Sequence, residues 1–167
     1  MVDTSQQQQP QKQYWLVCLS DSHACHDTLD WSDCERMCDP STTLLVHTGD
    51  FCRWPNVAEG TKNWHDYLSN PPSKWLASIP AERRIQISGN HDSGWKTKIT
   101  TITAFTPLLD AHCTVTFPNN GPSVKVFGFQ YREGGLLLAN LMSSVVIPSD
   151  TDIVLSHAPA RLVDRMH

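Results

Sequence analysis

The sequence predicts an α/β fold, because short apolar runs of strand length alternate with segments in which apolar residues recur at helical spacing. Four runs have the pattern of buried strands: residues 15–19, 44–46, 85–87 and 153–155. The chain has 167 residues, of which 40% are hydrophobic, so it can bury a sizeable core. We therefore expect one compact domain over residues 13–167.

The segment before the first run is expected to lie outside that domain. Residues 1–12 are rich in glutamine and otherwise polar. They carry too little apolar surface to offset the entropy that a chain loses when it is ordered. The sequence predicts a disordered tail here.

Two segments between the apolar runs carry helical patterns. Residues 56–68 space Val57, Trp64, Tyr67 and Leu68 so that a helix would turn them toward one side. Residues 71–79 are predicted to form a second short helix, which begins near a proline and ends before another. Both helices would suit crossover connections between parallel strands.

The second half of the chain contains a β-hairpin signal. Residues 112–117 and 124–129 are strand-like and flank the tract Pro-Asn-Asn-Gly-Pro-Ser at 118–123. Asparagine, glycine and proline in this order are typical of a tight turn. The sequence therefore predicts a hairpin over these residues.

The composition argues against several classes of partner. Lysine and arginine number 13 and aspartate and glutamate 17, which leaves a net charge of -4 and no broad cationic surface for long nucleic acids or anionic lipid. No apolar run approaches the roughly 18 residues of a membrane span, and the first residues lack the apolar core of a secretory signal. We expect a cytoplasmic protein, and no feature predicts its oligomeric state.

The six cysteines are spread along the chain without the density of a disulfide scaffold, so reduced thiols are expected. Cys34 and Cys38 lie four residues apart and follow Cys25 and His26. Two interpretations stay open, a small zinc knuckle and a plain helix face. The second is favoured because no other close cysteine pair follows.

Potential metal ligands follow all four apolar runs. The runs lead into Asp-Ser-His at 21–23, Gly-Asp at 49–50, Gly-Asn-His-Asp at 89–92, and His157. In open α/β sheets, ligands bind beyond the carboxyl ends of the strands, where segments remote in sequence converge. Each motif alone is an ordinary turn, but four of them in this order predict one shared site.

The residue types at this site indicate a metal centre. If the chain stays extended after the first run, Asp21 and His23 point the same way and can share one ion. Gly49 and Gly89 allow backbone angles and a close approach that a Cβ would hinder. Carboxylate, imidazole and amide donors favour Mn, Fe or Zn over Cu(I).

These motifs resemble the blocks of the calcineurin-like metallophosphoesterase family, which run Asp-x-His, Gly-Asp, Gly-Asn-His-Asp/Glu, a lone His and Gly-His-x-His. The first four blocks are matched, and the resemblance covers about residues 14–160. The tracts His-Thr-Gly-Asp-Phe at 47–51 and Val-Leu-Ser-His-Ala-Pro at 154–159 are similar to a small branch with MPPED-type and cyclic-nucleotide phosphodiesterase proteins. The resemblance implies a β-sandwich of mixed sheets flanked by helices, the four-layer αββα fold.

The resemblance also implies a role for each matched residue. Asp21 and His23 would hold one divalent ion, and Asn90 and His157 a second. Asp50 would bridge the two ions, and a hydroxide shared by the ions would attack the phosphorus of a phosphoester. The implied substrate is a small phosphate ester, with nucleotides among the candidates.

Two residues after the second glycine are implied to be catalytic. His91 resembles the family histidine that protonates the leaving oxygen, so it is expected to be catalytic and not a ligand. Asp92 is expected to orient its ring.

The fifth block, Gly-His-x-His, is absent from the sequence, and it would supply one more histidine to each ion. We therefore expect a C-terminally truncated domain. Two functions stay open, an active phosphodiesterase or phosphatase and a catalytically weak metal-binding remnant that acts by interaction. His112 or His167 as a substitute ligand is a further alternative.

A dinucleotide-binding domain is not supported, because the turn after the first apolar run reads Ser-Asp-Ser-His at 20–23 and has no glycine-rich phosphate cradle.

Overall fold

The computed structural model describes residues 12–23, 25, 28–50, 79–92, 105–131 and 145–157. The elements within these ranges follow one another along the chain as strand β1 (Trp15–Leu19), helix α1 (Ser32–Met37), a short 3₁₀ helix (Pro40–Thr42), and strands β2 (Thr43–His47), β3 (Arg83–Gln86), β4 (Thr106–Pro107), β5 (Ala111–Thr116), β6 (Ser123–Gly128) and β7 (Ile153–Leu155). The fold is α/β, with one parallel and one mixed sheet.

The first sheet is parallel and has the order β1-β2-β3-β4. Every residue of β2 is buried, as expected for a strand with neighbours on both sides and cover on both faces. Because the strands are parallel, the carboxyl ends of β1, β2 and β3 lie at the same edge of the sheet. That edge carries three of the predicted metal-binding motifs.

The second sheet has the order β5-β6-β7, with β5 and β6 antiparallel and β6 and β7 parallel. The predicted hairpin is confirmed. Its turn places Asn119 at φ 56° and Asn120 at φ 59°, and the N–H of Gly121 donates to the carbonyl of Pro118 at 3.1 Å. Two consecutive positive φ angles define a type I′ turn, which asparagine tolerates better than most residues.

The two sheets pack face to face through one apolar core. The first sheet contributes the buried residues Leu44, Val46 and Ile85, and Ile87 follows β3. The second sheet contributes Val115, Val126 and Leu155. The alternate residue Leu45 faces the other side of the first sheet, where it packs with Trp31, Ile79, Ala81 and Phe105. Cys34 of α1 packs against this second cluster, so the helix covers part of the outer face.

The strand predictions differ from the structure in burial more than in position. The runs at 15–19 and 153–155 coincide with β1 and β7, but both strands are only partly buried. Leu16 is 46% exposed and Val154 47%. Both strands lie at the end of their sheet within the described residues, and an end strand lacks a neighbour to cover it.

The predicted helices at 56–68 and 71–79 lie outside the described residues, apart from buried Ile79, and so does the tail up to residue 11. Within the described ranges, no helix has the length and apolar character needed to cross a membrane.

Candidate metal centre

The site lies where the turns after β1, β2, β3 and β7 meet. Asp50 is its central residue, with only 4% of its side chain exposed. Its Oδ2 lies 3.8 Å from Nε2 of His23 and 3.9 Å from Nε2 of His91. Its Oδ1 lies 3.5 Å from Nε2 of His157 and accepts the backbone N–H of His91 at 2.8 Å. One buried carboxylate is thus surrounded by three imidazoles from three different segments.

The other predicted ligands lie around this centre. Oδ1 of Asp21 is 4.0 Å from Nε2 of His23, and Oδ1 of Asn90 is 3.0 Å from Nε2 of His157. The structure therefore brings Asp21, His23, Asp50, Asn90 and His157 into one cluster, although they span most of the chain.

The hydrogen bonding of His157 fixes which of its nitrogens faces the site. Nδ1 lies 3.0 Å from the backbone carbonyl of Thr48, an atom that can only accept. In the neutral ring, Nδ1 therefore carries the proton, and Nε2 presents a lone pair toward Asn90 and Asp50. A metal-binding histidine typically donates its other N–H to a carbonyl in this way.

The turn after β1 is not extended, contrary to the expectation from sequence. Asp21 has φ 52° and His23 has φ 43°, both in the left-handed region, and Asp50 has φ 54°. Such angles cost of order 1–3 kcal/mol each for residues with a Cβ, and the surroundings must hold them. The N–H of Asp21 donates to the carbonyl of Gly49 at 3.0 Å, and that of His23 to the carbonyl of Asp50 at 3.0 Å. These two bonds join the first and second ligand-bearing turns.

Both predicted glycines are needed for close packing. Gly49 has φ 106°, and a Cβ there would lie 2.5 Å from the backbone nitrogen of Gly89 and 2.9 Å from Nδ1 of His157. A Cβ on Gly89 would overlap the carboxylate and backbone nitrogen of Asp50. The second and third turns therefore touch through their glycines.

The two predicted catalytic residues have different surroundings. The side chain of His91 is partly exposed, but its Nδ1 is buried and has no hydrogen bond in the described residues. The expected contact between Asp92 and this nitrogen is therefore not formed. Oδ2 of Asp92 instead accepts the N–H of Gly89 at 2.8 Å, and the residue is buried. Asp92 therefore contacts the backbone of the turn that carries His91, and its predicted role in orienting the His91 ring stays a prediction.

Two sets of three side chains have donor atoms within 4.8 Å of one another, namely His23 with Asp50 and His91, and Asp21 with Asp50 and His157. Asp50 belongs to both sets, as its implied bridging position requires. The partners are distributed differently from the implied pairing, because His91 lies with His23 and Asp21 lies with His157.

The alternative ligands have no such arrangement within the described residues. Cys34 lies on α1, where burial and then the nearby Cys38 raise the pKa of its thiol, and neither cysteine belongs to a three-ligand set. His112 is exposed on β5 and also lies outside both sets. His26 and His167 lie outside the described residues.

Sequence reasoning missed three residues that support the site. Thr48 accepts from His157, and buried His47 contacts Ser22 at 2.8 Å from Nε2 to Oγ. Tyr131 places its ring 5.7 Å from that of His157, edge to face. His47 continues the apolar run of β2, so its polar contacts have no signal in the sequence.

No protein-family model matches the chain. Among solved structures, the chain is similar to a protein of unknown function from Aquifex aeolicus, with 17% sequence identity and a TM-score of 0.34. The similarity covers 68% of this chain, and the chain spans 60% of the length of that protein. A likeness this weak carries no argument, so the interpretation of the site depends on its own geometry.

Proposed function

We infer that this chain is a metal-dependent phosphoester hydrolase of the calcineurin-like metallophosphoesterase type, with two divalent ions, Mn, Fe or Zn, held around Asp50. The inference depends on the hydrogen-bond acceptors that lie close to Nε2 of His157. Its Nε2 lone pair faces Oδ1 of Asn90 at 3.0 Å and Oδ1 of Asp50 at 3.5 Å. With His157 neutral, three electron-pair donors meet here, and they repel one another at such distances unless a cation lies among them.

The residues present fit divalent ions in charge as well as in donor type. Asp50 is a buried carboxylate, and no lysine or arginine forms an ion pair with it in the described part of the chain. A buried charge without a partner is strongly unfavourable. Carboxylate, amide and imidazole donors together suit ions of intermediate hardness.

The chemistry follows from how the donors are exposed. When bound, two such ions supply an activated water as nucleophile and neutralise charge on the phosphoryl oxygens. Asp50 and His157 lie deep in the site, whereas Asp21, His23 and His91 reach the surface. A small phosphate ester therefore approaches from the side where Asp21, His23 and His91 are exposed, and the imidazole of His91 protonates the leaving oxygen.

A second function, metal binding without turnover, is favoured by one observation. His91 lies in the same three-ligand set as His23 and Asp50. A histidine that ligates an ion is not available to protonate a leaving group. The two functions therefore differ in the role of His91.

The test combines metal analysis with hydrolysis. Metal is removed from the full chain with a chelator, and the chain is then loaded separately with Mn, Fe(II) and Zn. The measurements are the amount of bound metal and the rate of hydrolysis of an activated phosphodiester and of an activated phosphomonoester. We expect two ions per chain and turnover with at least one metal. Asp50→Asn should lose metal and reduce turnover by orders of magnitude. His91→Ala should retain both ions and lose turnover by about 10²–10⁴-fold.

Matched controls are available on exposed positions. Asp33→Asn removes a carboxylate on the surface of α1, and His112→Ala removes an exposed histidine of β5. Both should leave metal content and rate unchanged. Loss of metal in His91→Ala would support the binding function, and wild-type protein that takes up no divalent metal would exclude both functions.

A further inference from the structure

His47, the last residue of β2, is fully buried, yet both of its ring nitrogens contact polar groups. Nδ1 lies 3.3 Å from the backbone nitrogen of Gly49, and Nε2 lies 2.8 Å from Oγ of Ser22. One ring thus joins the turn after β2 to the turn after β1.

The backbone contact determines where the proton of the ring lies. The N–H of Gly49 can only donate, so Nδ1 of His47 must accept. A neutral ring then carries its proton on Nε2 and donates it to Ser22 Oγ. Each nitrogen has a distinct partner. A proton on Nδ1 would break the bond with Gly49, whereas the hydroxyl of Ser22 could still donate to Nε2.

The two joined turns carry three of the candidate ligands. Ser22 lies between Asp21 and His23, and Gly49 directly precedes Asp50. All three ligands have positive φ, a conformation that the surrounding structure must hold. The ring of His47 adds a side-chain link to the two backbone bonds between the same turns.

We propose that His47 and Ser22 are positioning residues, which hold the Asp21-to-His23 turn and the Asp50 turn at the separation that metal binding needs. This inference rests on the proposed metal site. His47 itself is not a ligand, because both of its nitrogens are engaged with the turns. Residues that support metal ligands typically change metal affinity by about 10–100-fold when they are replaced.

The experiment compares three variants with the full-length wild type. Ser22→Ala removes the hydroxyl, His47→Leu removes both nitrogens, and His47→Gln keeps an amide N–H that can reach Ser22. Metal affinity is measured by competition with a chelating indicator, and thermal unfolding is measured without metal. We expect affinity to fall about 10–100-fold in Ser22→Ala and His47→Leu, and less in His47→Gln.

The control is Ser123→Ala, which removes a hydroxyl that pairs with Thr116 at 3.1 Å in the hairpin. It should bind metal as the wild type does. Nitrogen NMR of histidine-labelled protein is expected to show the His47 proton on Nε2, and this resonance should change in Ser22→Ala.

The outcomes separate this inference from the proposed function. If the wild type binds no metal, the metal site itself is wrong. If the wild type binds metal and Ser22→Ala binds it as tightly as Ser123→Ala, the positioning role is overturned. A His47 proton on Nδ1 would overturn it as well, and Ser22→Ala remains informative even if His47→Leu does not fold.

Discussion

Asp50 combines burial, charge and an unfavourable backbone angle at one residue. Its carboxylate is surrounded by His23, His91 and His157, and its φ of 54° is held by the bonds between neighbouring turns. Native proteins retain a buried carboxylate and a left-handed aspartate only where other interactions offset them. A cation bound at this residue would provide that compensation.

Gly89 offers a test of how closely the turns must pack. Gly89→Ala would force a Cβ into the space occupied by the Asp50 carboxylate and backbone nitrogen. We expect metal affinity to fall by about tenfold or more, because the carboxylate must move, and stability to fall by about 1–3 kcal/mol. Competition with a chelating indicator measures the first and urea unfolding the second.

The matched control is Gly121→Ala in the hairpin, where a Cβ would lie 2.7 Å from Cβ of Phe117 and 2.8 Å from the hydroxyl of Tyr14. It should destabilise the fold and leave metal affinity unchanged. Equal metal affinities in the two variants would contradict the packing argument.

For single residues, the sequence predicted which ones are candidates but not their backbone conformations. Asp21, Asp50, Asn90 and His157 could be found because each follows an apolar run. The left-handed angles at Asp21 and His23 could not, since neither residue type marks such an angle as glycine does. The bond from Gly89 to Asp92 depends on how the third turn folds back on itself.

Among the described elements, the hairpin had a strong local signal and was predicted correctly. The hairpin β5–β6 was predicted because Asn119 and Asn120 match a type I′ turn. β4, at Thr106–Pro107, was missed because two residues make no periodic pattern. The partial exposure of β1 could not be predicted either, because position within a sheet depends on pairing between distant segments.

The 3₁₀ helix before β2 should contribute stability that depends on pH. Asp39 accepts from the hydroxyl and the backbone N–H of Ser41, and these bonds, the hydroxyl first, hold the pKa of the Asp39 carboxyl below 3.8. The charged form is therefore favoured in the folded state. Its stabilisation is fully present above the unfolded pKa and is lost as the pH falls through the folded pKa.

Asp39→Ala should lower Tm at neutral pH, and the difference from the wild type should close as the pH falls below 3.8. Melting curves by circular dichroism from pH 7 to pH 2 would measure this. Asp33→Ala, which removes an exposed carboxylate paired with Arg36, serves as the control. A constant difference across this range would show that the charge of Asp39 contributes nothing.

Over the whole molecule, the candidate site joins the two sheets. His157 follows β7 of the mixed sheet, whereas the other candidate ligands follow strands of the parallel sheet. This arrangement depends on the parallel pairing of β6 with β7, which links residues about 27 positions apart, as Val126 with Ile153. No local pattern encodes such a pairing, so the sequence predicted the convergence only through the order of the motifs.

Because ligands from both sheets would share the ions, metal removal should destabilise the whole fold and not one turn alone. A ligand at 100 times its Kd stabilises the native state by about 2.7 kcal/mol, which corresponds to a rise in Tm of about 5–10 °C for a chain of this size. Calorimetry with added Mn or Zn and with a chelator would measure the shift. Asp50→Asn should abolish the response, and without metal it should melt no lower than the wild type, because it removes a buried charge that no lysine or arginine offsets in the described residues. A wild-type Tm that changes with neither metal nor chelator would contradict a site shared between the sheets, since binding to the native state must raise its stability.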